Sequence, residues 1–458
     1  MPQPFELSAA EAARQIRSRD LSPVELVESL LSRYDSLEPQ LKAWVYLDRE
    51  EVLSVARQRE KDLEQIPLSR SGPNGGFLHG VPVGLKDIYY TAGIPTTACS
   101  KLYADFVPEY DATTVTMLKQ AGAIMLGKTV TTEFACMDPP PTLNPWNPAH
   151  TPGGSSSGSA VAVAAGMCPV ALGSQTVGSV LRPASYNGVV GFKPTFGRVS
   201  RYGVVPISWS LDTVGWMART VEDIALLLQV MAGPDPEDPT ASRLPTEDYM
   251  ADLASPPAPR IGLVRGYFYE NADQETRQHT DQVVERLSRA GAEVQEVTLP
   301  DSIDTAMRDQ QVLMAVEGAT FHQAMYETRA EEYQPKIREM IGRGLGTDGV
   351  TYSRALEHRL QFTADMKLAV GQVDVLLTPS TPTASLPDLT NTGNTMFQGP
   401  WTSCGLPAIT IPSGLAASGL PLGIQLAASP FAEAKLLSAA QWCEQVLDVH
   451  LSPPLDGK

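Results

Sequence analysis

The sequence has few residues of the kinds that build metal sites or disulfide frameworks. Its six histidines are scattered and include no His-x-His or His-x-x-x-His pair. Its five cysteines include no Cys-x-x-Cys pair, and an odd number cannot all form disulfides with one another. Clustered ligands and paired cysteines are the usual marks of such sites. We therefore expect no metal, no cofactor and no disulfide framework, and a protein that works in a reducing compartment.

Long apolar segments and an excess of positive charge are also lacking. The longest apolar-rich stretch, Ala160 to Leu172, has 13 residues, whereas a membrane-spanning helix needs about 20. The amino terminus, MPQPFE, has neither the basic start nor the apolar run of a signal peptide. The net charge is −17, and an acidic surface repels nucleic acid. We expect a cytoplasmic monomer or homodimer that binds a small molecule but neither nucleic acid nor a membrane.

The residues that are present provide for a large α/β core, since 43% of the 458 are hydrophobic. Helices are predicted over the first 65 residues, where Ser8 and Ser22 each begin a capping box, followed by a loop at Ser69–Gly76. Strands are predicted at 81–85, 123–126, 261–264, 293–299, 373–377, 408–411 and 422–426. Further helices are predicted at 113–121, 160–166, 276–290, 302–372 and 432–446. This alternation favours an α/β sheet, and the absence of a linker favours one domain over residues 1–458.

The most unusual composition lies in two loops rich in glycine and serine. Residues 151–159 read TPGGSSSGS, and residues 173–179 read GSQTVGS. Such runs are often flexible linkers, but these two flank the apolar stretch Ala160–Leu172, which should be buried. Glycines in loops of this kind let backbone N–H groups converge on a developing oxyanion. The two loops are therefore candidates for a serine-based active site.

A serine nucleophile needs a base, and two arrangements can be compared. Gly154–Gly158 matches the Gly-x-Ser-x-Gly elbow with Ser156 as nucleophile, but that elbow needs a preceding strand. Pro145 and Pro148 exclude a central strand there, so the match is interpreted as a coincidence. The other candidate base is Lys86, at the end of a predicted strand. Burial would lower its pKa and provide a neutral amine, although a solvated surface lysine fits these features as well.

Several separated motifs, in one order, resemble those of the amidase signature hydrolases, and the resemblance covers about residues 8–446. The motifs are GVPVGLKD at 80–87, GKT at 127–129, EFA at 133–135, NPWN at 144–147, GGSS at 153–156, GS at 178–179, RPAS at 182–185, GFKPT at 191–195, LDTVG at 211–215, GLPA at 405–408 and GLPLG at 419–423. The resemblance implies a single α/β domain whose central mixed β-sheet is covered on both sides by α-helices. Within it, residues 80–233 would be the signature core and 302–372 a helical cover.

The resemblance also implies the roles of individual residues. Ser179 would be the nucleophile, Ser155 a bridging serine preceded by a cis peptide bond, and Lys86 the base that activates both. The oxyanion would be bound by the backbone N–H groups of Thr176, Val177, Gly178 and Ser179. Supporting roles would fall to Ser156, Gln175 and Arg182.

This sequence departs from the commonest family pattern near the expected nucleophile. Many members have aspartate at position 175, glycine at 157 and 177, and arginine at 181, where this chain has Gln175, Ser157, Val177 and Leu181. An aspartate–arginine pair is therefore missing, or rebuilt from Gln175 and Arg182. Val177 should also add bulk where the backbone approaches the substrate. We expect these changes to alter substrate shape and to leave the triad intact.

The leading hypothesis is a stand-alone hydrolase of carboxamides or aryl amides, with carbamates (urethanes) also within reach of the chemistry. The glutaminase component of a tRNA-dependent amidotransferase is the second hypothesis; it requires a partner protein, and the departures count against it. A scaffold that has lost catalysis is the third, and retention of the triad counts against that. Four residues are expected to make the substrate pocket apolar, although core packing would explain each about as well: Met137, Trp209, Met314 and Tyr326.

Overall fold

The computed structural model describes residues 3–65 and 76–455, and its first helices begin at the predicted caps. Ser8 Oγ accepts a hydrogen bond from the backbone N of Glu11, and Ser22 forms a complete capping box with Glu25. Residues Trp44–Tyr46 are a short strand, which the prediction of helices over the first 65 residues missed because three residues carry no periodic signal. Residues 69–75 of the predicted loop lie outside the described residues.

Eleven strands in the described residues form one mixed sheet. They are β1 Trp44–Tyr46, β2 Pro82–Lys86, β3 Ile124–Thr129, β4 Val170–Gln175, β5 Val190–Lys193, β6 Thr213–Ala218, β7 Arg260–Leu263, β8 Glu293–Glu296, β9 Val375–Pro379, β10 Ala408–Leu415 and β11 Pro421–Ala427. Their order across the sheet is β1-β3-β2-β4-β6-β5-β10-β11-β9-β7-β8. The β2–β3, β2–β4, β7–β8 and β7–β9 pairs are parallel, and the other neighbouring pairs are antiparallel.

Helices flank this sheet, as the resemblance implies. Those in the described residues are α1 Ala9–Ser18, α2 Pro23–Leu41, α3 Arg49–Gln65, α4 Thr113–Gln120, α5 Ser157–Ala164, α6 Leu181–Asn187, α7 Val221–Met231, α8 Gly266–Asn271, α9 Gln274–Arg289, α10 Ile303–Arg329, α11 Pro335–Leu345, α12 Gly349–Val370, α13 Gly399–Ser403 and α14 Glu433–Leu447. Of these described helices, none is both long and apolar enough to cross a membrane.

Both faces of the sheet are buried, because successive side chains of a strand point to opposite faces. Leu172 and Trp216 belong to one hydrophobic cluster, whereas their chain neighbours Ala171 and Met217 belong to a second one. All four side chains are fully buried. The α/β fold, with a mixed sheet between helical layers, is therefore confirmed.

Three strands of the central sheet were not predicted, namely β4, β5 and β6. The apolar stretch from Ala160 to Leu172 contains the end of α5 and the start of β4, and an unbroken apolar run does not distinguish a buried helix from a buried strand. The predicted strand at 293–299 is also shorter, since β8 ends at Glu296.

The parallel strands β2 and β4 bring the two predicted chemical regions together. Leu85 pairs with Leu172, so Lys86 at the carboxyl end of β2 lies beside the carboxyl end of β4. Ligands of α/β proteins commonly bind in the crevice at this edge of the sheet. The glycine- and serine-rich loops enter the same edge, one leading into α5 and the other leading from β4 to α6.

Candidate active site

Lys86 lies next to two serine hydroxyls. Its Nζ donates hydrogen bonds to Ser155 Oγ over 2.7 Å and to Ser174 Oγ over 2.9 Å. Burial of its side chain lowers the pKa of Lys86 to about 7, an effect that the negative charge of Asp212 opposes. A substantial fraction of Lys86 is therefore neutral near pH 7. It lies at the distance from Ser155 that proton transfer requires.

The backbone around Ser155 is held from two sides. The Gly154–Ser155 peptide bond is cis, as the resemblance implies. Arg182 Nη2 donates to the carbonyl oxygen of Gly154, and the backbone N of Thr132 donates to the carbonyl oxygen of Ser155 over 3.2 Å. A Cβ at position 154 would lie 2.8 Å from Thr392 Cγ2, so glycine fits there and larger residues do not.

Ser179 lies beside this cis peptide. The backbone N of Ser156 donates to the carbonyl oxygen of Ser179 over 3.3 Å, which joins the two serine-rich loops. Ser155 and Ser156 are buried, whereas Ser179 is half-buried and thus the most accessible of the three. The structure therefore brings together Lys86, Ser155 and Ser179.

Ser156 has a different set of contacts from those of a nucleophile elbow. Its Oγ accepts a hydrogen bond from the backbone N of Ser174 over 3.3 Å and lies 3.4 Å from the carbonyl oxygen of the same residue. The preceding segment, residues 139–153, contains no strand. The prolines thus predicted correctly that the elbow is absent, and Ser156 instead connects its loop to β4.

Gln175 folds the loop that contains Ser179. Its Oε1 accepts hydrogen bonds from the backbone N–H groups of Val180 and Leu181, over 2.9 and 3.0 Å. The four preceding N–H groups, of residues 176–179, donate to no acceptor in the described chain. These are the N–H groups that the resemblance assigns to the oxyanion.

Helix α13 holds the same loop from its other side. Thr402 Oγ1 accepts from Gln175 Nε2 over 3.0 Å and donates to the carbonyl oxygen of Val177 over 2.7 Å. A Cβ at Gly178 would lie 2.8 Å from Gln398 Oε1, so a larger residue would require the loop or the Gln398 side chain to shift. The Val177 side chain is buried in the hydrophobic core. The expectation that it adds bulk toward the substrate is therefore wrong, because the side chain packs inward.

Gln175 and Arg182 do not rebuild an aspartate–arginine pair. Gln175 binds the loop before α6, as described, while Arg182 donates to the carbonyl oxygens of Gly154 and Gly393. Burial lowers the pKa of Arg182 to about 10. Each of the two residues stabilises a different side of the site.

A cavity of about 490 Å³ opens beside these groups. Ser174, Thr176 and Asp212 lie at its end nearest Lys86, and the segment 202–207 with Trp209 forms a wall of mostly apolar residues. Asp212 accepts hydrogen bonds from Thr176 Oγ1 and from the backbone N–H groups of Ile207 and Ser208. It therefore joins the loop that contains Thr176 and Ser179 to the cavity wall.

Comparisons with known proteins agree with this geometry. The family described as Amidase matches residues 25–437. The chain belongs to the amidase family. AmiD of Mycobacterium tuberculosis, which its name assigns to the amidases, is 40% identical over 463 residues, covering 98% of this chain and 96% of that protein. One component of the glutamyl-tRNA(Gln) amidotransferase of Carboxydothermus hydrogenoformans is 36% identical over 98% of this chain and 99% of its own length.

Solved structures show the same relationship. The native peptide amidase of Stenotrophomonas maltophilia superposes on this amidase with a TM-score of 0.87 and 30% sequence identity. The match covers 99% of this chain and 100% of that one. The fold, including its peripheral helices, is therefore that of other amidases.

One of the four predicted pocket residues of this amidase lines the cavity. Trp209 does so, with 56% of its surface exposed. Met314 is buried in the hydrophobic core, and Met137 and Tyr326 pack against that core. Core packing, the alternative explanation, accounts for these three residues because each side chain belongs to the hydrophobic core or packs against it.

Sequence reasoning also missed several residues that shape the site of this amidase. Ser174 binds Lys86, but the strand that contains it was not predicted. Asp212 was part of a recognised motif with no role assigned, and Thr402 and Gln398 lie far away in sequence. Of these, Ser174 alone had a usable signal, since it lies two positions after the apolar Leu172 in a strand. Within the described residues, no group of three or more histidines, cysteines or carboxylates is arranged to hold a metal.

Proposed function

We propose that this amidase is a stand-alone serine hydrolase that cleaves the C–N bond of carboxamides and aryl amides. The observation that carries the proposal is the hydrogen bond of 2.7 Å between Lys86 Nζ and Ser155 Oγ, buried next to Ser179. In this proposal Ser179 is the nucleophile, Ser155 the bridging serine and Lys86 the base.

The reaction begins when neutral Lys86 takes the proton of Ser155 Oγ. Ser155 takes the proton of Ser179 Oγ, which attacks the carbonyl carbon and forms a tetrahedral intermediate. The N–H groups of residues 176–179 stabilise the oxyanion; loss of one such donor typically costs about 10²–10³-fold in kcat. Ser155 then returns a proton to the leaving nitrogen, which amides need because an amide anion is a poor leaving group. Water cleaves the acyl-enzyme by the same relay.

We propose uncharged substrates because two charged residues that line the cavity, Arg201 and Asp212, already have partners within the protein. Arg201 Nη2 donates to Thr240 Oγ1 over 2.7 Å, and the Arg201 backbone N donates to Asp238 Oδ2 over 2.8 Å. Asp212 accepts three hydrogen bonds from the protein. Apolar walls favour a ring or an alkyl chain over a zwitterionic amino acid. Carbamates fit the same chemistry, since attack on their carbonyl carbon also releases an amine.

The glutaminase component of a tRNA-dependent amidotransferase is the second candidate function. The 36% identity to the amidotransferase component of Carboxydothermus hydrogenoformans, over nearly the whole chain, favours it. The hydrogen-bonded charges of the cavity count against it, because glutamine brings an ammonium and a carboxylate that need partners of opposite charge.

The decisive experiment compares three substrates on the purified chain alone and on Ser179→Ala. Nitroaniline release is measured from a nitroanilide amide and from a carbamate whose nitrogen carries the same nitrophenyl group. Ammonia release is measured from glutamine. Release from the amide that disappears in Ser179→Ala supports the proposal, and the amide-to-carbamate ratio defines the substrate class. Ammonia from glutamine alone would favour the second candidate. Equal release by both proteins would exclude Ser179 as the nucleophile.

We also propose that the enzyme works in the cytoplasm as a monomer or homodimer without a nucleic-acid or membrane partner. All five cysteines are free thiols, which suits a reducing compartment. Light scattering on the purified chain tests the assembly state, and a trimer or larger complex would contradict it.

A further inference from the structure

Trp209 is an unusual surface residue. It is 56% exposed, although its neighbours Ser208 and Ser210 are almost fully buried. It also lines the cavity, so its indole stands where the cavity meets solvent. Ligand cavities are lined mainly by apolar and aromatic side chains, and Trp209 is one of these.

Two residues of the helical cover, Tyr352 and Glu317, lie beside this tryptophan. Burial raises the pKa of the Tyr352 hydroxyl to about 12, and the nearby Trp209 side chain opposes that rise. The same hydroxyl donates to Glu317 Oε1 over 3.0 Å. Tyr352 thus connects the surroundings of the indole to the carboxylate of Glu317.

Glu317 also fixes the backbone on both sides of Trp209. Its buried carboxylate accepts from the hydroxyl of Ser208, the hydroxyl of Ser210 and the backbone N of Ser210. Arg359 of α12 donates to the carbonyl oxygen of Ser210 over 2.7 Å. These contacts with the charged side chains of Glu317 and Arg359 are not needed to keep a surface loop soluble. Their combined effect is to hold residue 209 in place, with its neighbours bound to α10 and α12.

A second aromatic residue, Tyr202, lines the same cavity. Its ring stacks on that of Tyr110, with centroids 5.4 Å apart and an angle of 27° between the planes. Trp209 and Tyr202 are therefore both held rigidly, at low entropic cost to binding. Aromatic rings bind other rings in offset-stacked or edge-to-face arrangements.

We propose that Trp209 selects substrates that carry an aromatic ring, and that Tyr352 and Glu317 are positioning residues that hold its indole at the cavity opening. This inference rests on the proposed amide hydrolysis and deepens it by naming the substrate class. Ser174, Thr176 and Asp212 lie in the same cavity as Trp209, so a ring bound there would belong to a substrate whose carbonyl reaches the loop that contains Thr176 and Ser179.

The test compares 3-phenylpropionamide with propionamide as substrates, by ammonia release, on four variants. Trp209→Ala is expected to lower kcat/KM for the aromatic amide by roughly 2- to 12-fold more than kcat/KM for propionamide. Tyr352→Phe and Glu317→Gln are expected to raise KM for the aromatic amide by a larger factor than KM for propionamide. The matched control is Tyr269→Phe, because Tyr269 also donates to a carboxylate over 3.0 Å, that of Asp281, on another surface.

A binding measurement separates this inference from the proposed function. Calorimetric titration of 3-phenylpropionamide into Ser179→Ala is compared with titration into Ser179→Ala/Trp209→Ala, and neither protein needs to turn over. Weaker binding to the double variant supports the role of Trp209 even if hydrolysis fails. Equal binding, or an equal fall of kcat/KM for both amides in Trp209→Ala, would overturn it. Absence of amide hydrolysis by the wild-type protein would instead contradict the proposed function.

Discussion

Lys86 and Lys193 are matched in burial and in pKa, but their Nζ atoms bind different groups. Both side chains are fully buried, and burial lowers the pKa of each to about 7. Lys86 Nζ donates to two serine hydroxyls, whereas Lys193 Nζ donates to the carbonyl oxygen of Pro194 over 2.8 Å. A lowered lysine pKa therefore does not identify a base by itself. The hydroxyl of Ser155, which can pass on a proton, makes the difference.

This pair provides a matched test of the base. Lys86→Met should reduce kcat for a nitroanilide by at least about 100-fold, because general base catalysis typically contributes 10²–10⁴-fold. Lys193→Met removes a lysine of the same burial and should keep kcat within a few-fold of wild type. Melting temperatures show whether each variant is folded. Similar losses in two folded variants would contradict the role of Lys86.

The pH dependence of activity has a predicted direction. The neutral amine is the active form of Lys86, so kcat/KM should rise with pH through about 7 and fall below it as the amine takes a proton. Asp212 favours the charged ammonium of Lys86. Asp212→Asn should therefore move the rising limb to lower pH.

The control for this shift is Asp235→Asn. Asp235 also accepts hydroxyl hydrogen bonds, from Thr113 and Ser200, but it does not act on Lys86. Its replacement should leave the limb in place while removing the same charge. A limb that is unmoved in Asp212→Asn, or a maximum near pH 5 in wild type, would argue against a lysine base.

Local sequence patterns and motifs predicted part of the site. Lys86 was a candidate base from the sequence alone because it ends an apolar strand, whereas the role of Ser155 came from the resemblance. Ser174 was missed because the strand β4 follows α5 within one apolar stretch, in which helix and strand have the same signal. The resemblance supplied the central mixed sheet with helices on both sides, which local patterns do not contain.

Contacts between distant segments could not be predicted in this way. Glu317 of α10 and Tyr352 of α12 contact each other and the loop of Trp209 only in the packed tertiary structure. No local sequence pattern indicates such contacts. Met314 illustrates the reverse case, since its apolar character fits a pocket and a core equally well. Its position on the buried side of α10 decides between them.

The identity of the nucleophile can be tested by covalent labelling. A fluorophosphonate should add to a single hydroxyl, and peptide mass spectrometry should find the added mass on Ser179, the most accessible serine of the three next to the cis peptide. Ser179→Ala should block labelling, while Ser156→Ala should still be labelled because Ser156 Oγ is bound to the backbone of β4. Label on Ser156 in wild type would restore the nucleophile-elbow interpretation.

Arg182 should contribute to stability as well as to activity. Arg182→Met removes the donors to the carbonyl oxygen of Gly154, which is buried, and to that of Gly393, which is partly buried. Each unsatisfied group costs about 1–3 kcal/mol, so the free energy of unfolding should fall by roughly 3 kcal/mol, measured by urea denaturation. Because Gly154 precedes Ser155, kcat should fall too. Arg182→Lys should recover only part of both losses, since an ammonium cannot reproduce the geometry of the guanidinium fork.

Arg265 is the matched control for this loss of stability. It forms ion pairs with Asp281 and Glu296, but its side chain is 41% exposed. Exposed ion pairs contribute about 0–1 kcal/mol, so Arg265→Met should change the free energy of unfolding by less than about 1 kcal/mol and should leave kcat unchanged. If both variants lost the same free energy of unfolding, the contacts of Arg182 with carbonyl oxygens would contribute no more to stability than exposed ion pairs do. The larger loss is expected for Arg182 because a buried carbonyl oxygen that loses its donor cannot form a hydrogen bond with water instead.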